Sequence, residues 1–348
     1  MKIALKSAVL LILISILAIA CSKVEPKDQT LPDLGTIKVG YLPVLSFAPL
    51  YIATDKGYFE EESLQVELLG FNSSSYMMPL LATGDLDIGN GQPGTELFNA
   101  IKQGLDIKIV GPSSGQKAGY ANAPFLVRKD LFDSGRITQP ADLKGGTIAT
   151  NVERGLIEFI TASILEMGGL TIDDVHLVSM PFSDMNVAFA NQAIDAALVP
   201  EPLASMAVQG GDAVVLIQLY DVFKEPNLSV YFFGKRLLQP ENREVGIRFF
   251  EAYMKAVREL NTEAGYNDQN VEIISKYINI PPETISKGLY YYFDPNGYLD
   301  PTFVEKAMTY YLSRGYTDFT EPLDSAQLFD FSFLEEALQR IGPYEEQK

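Results

Sequence analysis

Ile37-Lys38-Val39-Gly40-Tyr41-Leu42-Pro43-Val44-Leu45-Ser46-Phe47-Ala48-Pro49-Leu50-Tyr51-Ile52-Ala53 opens the folded body of this chain and sets its class. Residues 37–41 read as a strand, Pro43 breaks the run, and residues 48–56 return as a short apolar helix. The exchange repeats downstream. Residues 64–69 alternate polar and apolar as a second strand, and Ser73-Ser74-Ser75 offers N-caps to a helix over 76–83. Asp87-Ile88-Gly89 is a short strand, 95–102 a helix and 107–110 a further strand. This βαβαβαβ order predicts an α/β fold with a parallel sheet covered by helices.

A second set follows. Phe125-Leu126-Val127, Thr147-Ile148-Ala149, His176-Leu177-Val178 and Ala196-Ala197-Leu198 read as strands, with helices over 156–167 and 185–191 between them. Strands over 214–218 and 229–233 come later. Beyond Pro240 the pattern turns helical. Val245, Phe249, Tyr253, Val257 and Leu260 share one face of a helix over 244–260. Helices over 271–278, 282–289 and 301–313 follow, the second opened by Pro281-Pro282. Two α/β units and a helical tail predict a cleft between lobes. Its ligand-facing groups belong in loops at the carboxyl ends of the strands, beside helix N-termini.

Composition narrows the function classes. At 348 residues the chain has room for about two domains. Hydrophobic residues at 47% and charged residues at 21% suit a soluble protein with sizeable cores, and a mean hydropathy of +0.06 argues against a many-span membrane protein. The net charge of −18 repels phosphate, so nucleic acid is excluded as a partner. One His and one Cys rule out multi-His and multi-Cys metal sites and any internal disulfide. No metal and no cofactor are expected.

The N-terminal segment carries an address. Lys2 and Lys6 precede an apolar run over 8–20, interrupted by Ser15, that is short for a membrane span of about 20 residues. A basic start, a short apolar core and small residues at its end describe an export signal. The run closes on Leu17-Ala18-Ile19-Ala20-Cys21, with the sole cysteine directly behind it. The arrangement resembles a bacterial lipobox, in which Cys21 takes a diacylglycerol thioether and becomes the mature N-terminus. Ala18-Ile19-Ala20 also reads as a plain cleavage site leaving Cys21 unmodified, and an uncleaved anchor is a third reading. The expectation adopted is a lipoprotein signal peptide over 1–20 and a tether over 21–35. Lipid at Cys21, palmitate included, would hold the protein on the extracytoplasmic face of the cell membrane.

More specific motifs run in order through the body. Pro49-Leu50-Tyr51-Ile52-Ala53 is followed by Lys56-Gly57-Tyr58-Phe59, then by Leu81-Ala82-Thr83-Gly84-Asp85-Leu86-Asp87-Ile88-Gly89. Asp142-Leu143-Lys144-Gly145-Gly146-Thr147 and Ile194-Asp195-Ala196-Ala197-Leu198-Val199-Pro200-Glu201-Pro202 come next. Together these resemble the solute-binding proteins of ABC importers in the sulfonate, nitrate, taurine and thiamine-pyrimidine group, over roughly residues 36–315. The resemblance implies a type II periplasmic-binding-protein fold with two lobes and a cleft. Lobe one would hold 36–123 and 229–348, with the helical C-terminal tail packed on it, and lobe two 124–228. It also implies a non-enzymatic monomer that closes on a small-molecule solute and presents it to ABC permease and ATPase subunits. The alternatives are a pyrimidine-converting enzyme on the same fold and a membrane-tethered sensor. Enzymes of that kind rely on His and Cys in the body of the chain, where this one has a single His.

Candidate site residues each carry a blander reading. Gly89-Asn90-Gly91-Gln92-Pro93-Gly94 is literally G-x-G-x-x-G, yet no acidic residue ends the next strand, so a dinucleotide fingerprint fails on context. The same glycines let backbone near Thr95 approach a ligand, with Asn90 and Gln92 adding side-chain bonds, or they form a tight turn only. Asn151 and Arg154 occupy the matching place in the second unit. Glu201, a carboxylate between two prolines behind an apolar strand, is either a ligand contact accepting N–H groups or a surface turn. His176 reads as structural, and Tyr290-Tyr291-Tyr292-Phe293 as tail packing or cleft lining.

The remaining expected ligand residues are Tyr41, Ser46, Phe47, Asn72, Ser73 and Tyr120. Phe71, Tyr76, Phe182, Ser74 and Ser183 share the same loops, and basic residues there are Lys117 and Arg154. Aromatics and amides in excess of basic groups fit a flat heterocycle stacked on Tyr or Phe. The stretch from Ser46 to Tyr51 resembles the vitamin-binding branch of the family. The ligand expected is therefore riboflavin, the alternatives being a thiamine pyrimidine precursor or an organic anion such as a sulfonate, taurine or nitrate.

Overall fold

The computed structural model describes residues 31–32, 34–115, 117, 119–120, 123–223 and 226–344. The signal peptide, Cys21 and most of the expected tether lie outside the described residues, as does part of the expected crossing at 121–124.

The first half-lobe runs β1 (Thr36–Tyr41), α1 (Ala48–Asp55), the short α2 (Tyr58–Glu61), β2 (Gln65–Gly70), α3 (Met77–Thr83), β3 (Ile88–Gly91), α4 (Thr95–Lys102) and β4 (Lys108–Pro112). The second unit runs β5 (Phe125–Arg128), α5 (Lys129–Asp133), β6 (Thr147–Thr150), α6 (Leu156–Met167), β7 (His176–Ser179), α7 (Phe182–Ala190), β8 (Ala196–Leu198), α8 (Leu203–Gly210) and β9 (Ala213–Ile217). The chain then returns as β10 (Val230–Phe233) and ends in helices α9 (Arg243–Leu260), α10 (Asp268–Ile278), α11 (Pro282–Lys287), α12 (Pro301–Ser313), α13 (Ser325–Leu328) and α14 (Ser332–Ile341).

Each lobe holds one five-stranded sheet, and the two have the same plan. The orders are β2-β1-β3-β10-β4 and β7-β6-β8-β5-β9. In each the three strands at one side are parallel, as the sequence predicts. The purely parallel sheet is corrected, however. β10 runs antiparallel between β3 and β4, and β5 antiparallel between β8 and β9. The reason is topological. β5 and β10 are the first strands laid down after the chain crosses from the other lobe. Such a strand enters its sheet from the cleft end, where the parallel strands finish, and so runs against them. All four residues of β10 are buried, as a central strand requires.

The duplication extends to side chains. Asp87, 1% exposed, opens the turn into β3, accepts a 2.9 Å bond from the Lys38 amide of β1 and pairs with Arg236. Asp195 does the same before β8, accepting 2.8 Å from the Thr147 amide of β6 and pairing with Arg128 at 3.1 Å. A carboxylate thus pins the start of the middle strand in both sheets.

The expected face of α9 is buried in full: Val245, Phe249, Tyr253, Val257 and Leu260 are all core residues, each contributing about 2 kcal/mol of apolar burial. Gly246 allows the approach, since a Cβ there would lie 2.6 Å from the Phe233 ring and 2.7 Å from Phe333. α9 packs on α1 and α14, and α10 on α1, so the tail covers the first lobe. α12 reaches further, touching α4 of the first lobe and α6 of the second. The helix expected over 185–191 starts earlier, at Phe182, directly behind Pro181. α5, α8, α13 and α14 were not foreseen, and two of them, α5 with five residues and α13 with four, are too short to show a period. Among the described residues no helix is long and apolar enough to cross a membrane.

Candidate functional site

The parallel strands of both sheets end at the cleft, and the residues just past them converge there. After β1 come Leu42, Val44, Ser46 and Phe47. After β3 comes Gln92, after β6 Asn151, after β7 Phe182, and after β8 Pro200 and Glu201. Asn151 Nδ2 donates a 3.2 Å hydrogen bond to Gln92 Oε1, joining the lobes directly. Beside this bond lies an inner cavity of about 30 Å³, lined by Ser46, Phe47, Gln92, Ser114, Ser229, Tyr291 and apolar groups that include Ile157 and Leu198. It has room for a water or two, or a solute of a few heavy atoms. An outer cavity of about 260 Å³ shares Leu42, Val44 and Phe182 with it and adds Asn72, Ser183, Glu201 and Asn279.

The inner cavity is lined by neutral groups only, and the outer one adds the Glu201 carboxyl. No Lys, Arg or His is among the lining residues of either cavity. The two basic groups expected near the cleft are engaged elsewhere: Lys117 Nζ sits 4.6 Å over the Tyr292 ring and the Arg154 guanidinium 5.2 Å over Tyr316. Four helices that begin at the cleft, α1, α4, α6 and α7, have no side-chain N-cap bond. α9, α11 and α14 of the tail lack one as well, whereas α10 and α12 are capped by Asn267 and Asp300. Among the cleft starts, α4 holds an acid in its first turn, Glu96, whose carboxyl accepts its own amide, and α6 holds the buried Glu158, which accepts the Arg154 amide. Two groups await a partner: Ser114 Oγ and Asn151 Oδ1 are buried without a hydrogen bond among the described residues.

Glu201 is 4% exposed and lines the outer cavity. Its Oε2 accepts 3.0 Å from the Ser205 amide in the first turn of α8, and its own amide donates 3.3 Å to the Tyr291 hydroxyl. Burial raises its carboxyl above the usual range, while the bonds from Ser205 oppose the shift.

The expected site residues are distributed as follows. Ser46, Phe47 and Gln92 line the inner cavity and Asn151 bonds to Gln92; Asn72 and Glu201 line the outer one. Ser73 caps the turn before α3 through the Ser75 amide. Thr95 is the first residue of α4, next to the turn that carries Gln92. Tyr41 packs edge-on to Tyr51 at 5.4 Å and Tyr277 at 6.1 Å. Tyr120 is exposed and packs against Tyr292 at 5.3 Å. Arg154 is exposed at the turn into α6, where its amide donates to Glu158. Asn90 is fully buried, and neither amide atom has a bond of full geometry. It pairs across the ladder with Tyr231, whose ring packs on Phe249 and Tyr253 of α9, and it lowers that hydroxyl's raised pKa. Cross-strand partners share a face, so Asn90 faces α9. Sequence reasoning missed Ser114, Ser229 and Ile157. Ser113-Ser114-Gly115 behind β4 and Asn227–Ser229 before β10 were the available signals.

The NMT1-like family profile matches residues 31–276, well over half of the chain. The chain belongs to the NMT1-like family. A protein of Brucella abortus (strain 2308), provisionally named a binding protein, is 27% identical to this NMT1-like chain over 255 residues, spanning 72% of it and 74% of the relative. The 4-amino-5-hydroxymethyl-2-methylpyrimidine phosphate synthase of Aspergillus parasiticus is 32% identical over 131 residues, 38% of this chain and 35% of that one. Among solved structures, the periplasmic nitrate-binding protein NrtA of Synechocystis PCC 6803 matches with a TM-score of 0.74 at 18% identity, over 89% of the NMT1-like chain and 90% of NrtA. At that identity the likeness concerns architecture: the two-lobed periplasmic-binding fold.

Proposed function

We propose that this chain is the solute-binding component of an ABC importer. In this reading it closes as a monomer on a small oxyanion or short organic anion and delivers it to permease and ATPase subunits. Lipid on Cys21 holds it at the extracytoplasmic face of the cell membrane. The observation that carries the reading is the Gln92–Asn151 bond, which closes the cleft over a small cavity lined by neutral hydroxyl, amide and apolar groups. Such a site binds negative charge through amide and hydroxyl hydrogens without a basic side chain. The likeness to a nitrate-binding protein supports the same class, and the relatives provisionally named as binding proteins support binding over catalysis.

Riboflavin, the sequence expectation, has no such support. The inner cavity of about 30 Å³ is far smaller than a tricyclic ring, and neither it nor the outer cavity is lined by Tyr41 or Tyr120, which pack against other tyrosines of the chain. A thiamine-type pyrimidine is the second reading, favoured by the likeness to the Aspergillus synthase.

Calorimetry of the purified protein with nitrate, bicarbonate, ethanesulfonate, an aminopyrimidine and riboflavin tests the class. Saturable heat with at least one anion and none with riboflavin is expected. Binding of the pyrimidine or the flavin with no response to any anion refutes the anion reading. Lipidation is tested separately by fractionating cells that express Cys21→Ser. Release of the variant from the membrane is expected, and unchanged retention and processing refute it.

A further inference from the structure

The C-terminal segment from α12 to Phe319 grips both lobes at once, on either side of the bond that closes the cleft. Tyr310 and Tyr311 are consecutive residues of α12 that face different lobes. Tyr310 Oη donates 3.1 Å to Glu158 Oε1, in the first turn of α6. Tyr311 Oη donates 3.4 Å to the carbonyl of Pro93, the residue after Gln92. The grip continues along the segment. On the second lobe, Arg314 forms a two-pronged pair with Asp173 at 2.8 and 2.7 Å, and Phe303 packs on Phe159 at 5.8 Å. On the first lobe, the Asp318 amide donates 2.9 Å to Asn99 Oδ1, and Lys102 lies 5.5 Å over the Phe319 ring.

We propose that this segment is an interlobe clasp that stabilises the closed cleft and must release the second lobe for the cleft to open. The inference rests on the reading above, that the lobes open and close on a solute. Its physical basis is simple. A segment bonded to both lobes in one relative orientation cannot keep every bond when they rotate apart. Its anchorage on the first lobe continues through α13 and α14, which pack near β4. The contacts to Glu158, Phe159 and Asp173 are therefore the ones to break. The clasp ties Pro93, beside Gln92, to Glu158, which holds the Arg154 amide in the turn after Asn151, so its release loosens the tie between the two sides of the site. Population linkage then makes solute affinity fall by the same factor as the closed population.

The test needs no solute. In the full chain carrying Cys21→Ser, spin labels at Glu67→Cys and Met167→Cys report the distance between lobes. The comparison is between the parent, Arg314→Ala combined with Tyr310→Phe, and the exchanged pair Arg314→Asp with Asp173→Arg. The clasp predicts at least a threefold loss of the short-distance population in Arg314→Ala/Tyr310→Phe, with substantial recovery in the exchanged pair. An unchanged thermal midpoint shows that the fold is intact. A short-distance population equal to that of the parent in Arg314→Ala/Tyr310→Phe overturns the clasp and leaves the anion reading standing. That reading fails on its own terms, in the calorimetry, whatever the distances show.

Discussion

Glu96 offers the sharpest stability test, because its charge is placed where the fold does not favour it. It sits in the first turn of α4, with its carboxyl folded over Gly94 and near the Tyr311 hydroxyl of the clasp. Burial raises the carboxyl from its ordinary 4.5 to about 7, opposed by a bond from its own amide. The native state thus holds the proton more tightly than the unfolded chain does. The associated stability is fully present below pH 4.5 and is lost as pH rises through about 7. At about 1.4 kcal/mol per pH unit the ceiling is about 3 kcal/mol. The side chain keeps some contact with solvent, which brings the expected figure to about 1–3 kcal/mol. Glu96→Gln removes the titration and keeps the shape. Urea unfolding followed by circular dichroism should give equal stabilities for parent and variant near pH 4. At pH 8.5 the variant should be the more stable by about 1–3 kcal/mol, with the same urea dependence. A difference that stays constant across this range, or a variant less stable at pH 8.5, refutes the reasoning.

Three further expectations follow from the site and the duplicated plan. Asp87→Asn breaks a buried pair with Arg236 and should cost about 3 kcal/mol in chemical unfolding, whereas Asp195→Asn, whose side chain is 25% exposed, should cost about 1 kcal/mol; equal costs would show that burial is not what sets them. Gln92→Ala and Asn151→Ala should each weaken anion binding about tenfold, and the double variant little more than either alone, because both remove one shared bond; calorimetry that finds the two effects additive would sink the closure role of that bond. Asn90→Leu removes the buried amide beside the Tyr231 hydroxyl and should cost about 1 kcal/mol of stability with binding unchanged; a large loss of affinity would instead return Asn90 to the ligand.

Much of this protein was settled by local sequence. Period and punctuation placed β1, α1, α4, α6, α9 and α12 to within a residue or two, because each depends on groups a few positions apart. The same local logic put Gln92 and Asn151 at the ends of strands facing the cleft. Tertiary structure decided what depends on distant partners. β10 is an apolar run of four residues whose composition says nothing of direction; its antiparallel place between β3 and β4 follows from the path of the chain out of one lobe and back. Asn90 and Gln92 are two residues apart and would share a face in a regular strand. Asn90 nevertheless packs toward α9 while Gln92 reaches the cleft, because β3 ends between them at Gly91. Tyr41 and Tyr120, candidates for stacking on a ligand, pack instead against Tyr51, Tyr277 and Tyr292, edge-on or tilted. Glu96 becomes a perturbed acid only through burial in the folded chain, where Tyr311 of α12, two hundred residues later, lies near it. Alternation and spacing act over one turn or one strand, whereas burial, strand direction and the closing of a cleft are set by segments that meet only once the chain has folded.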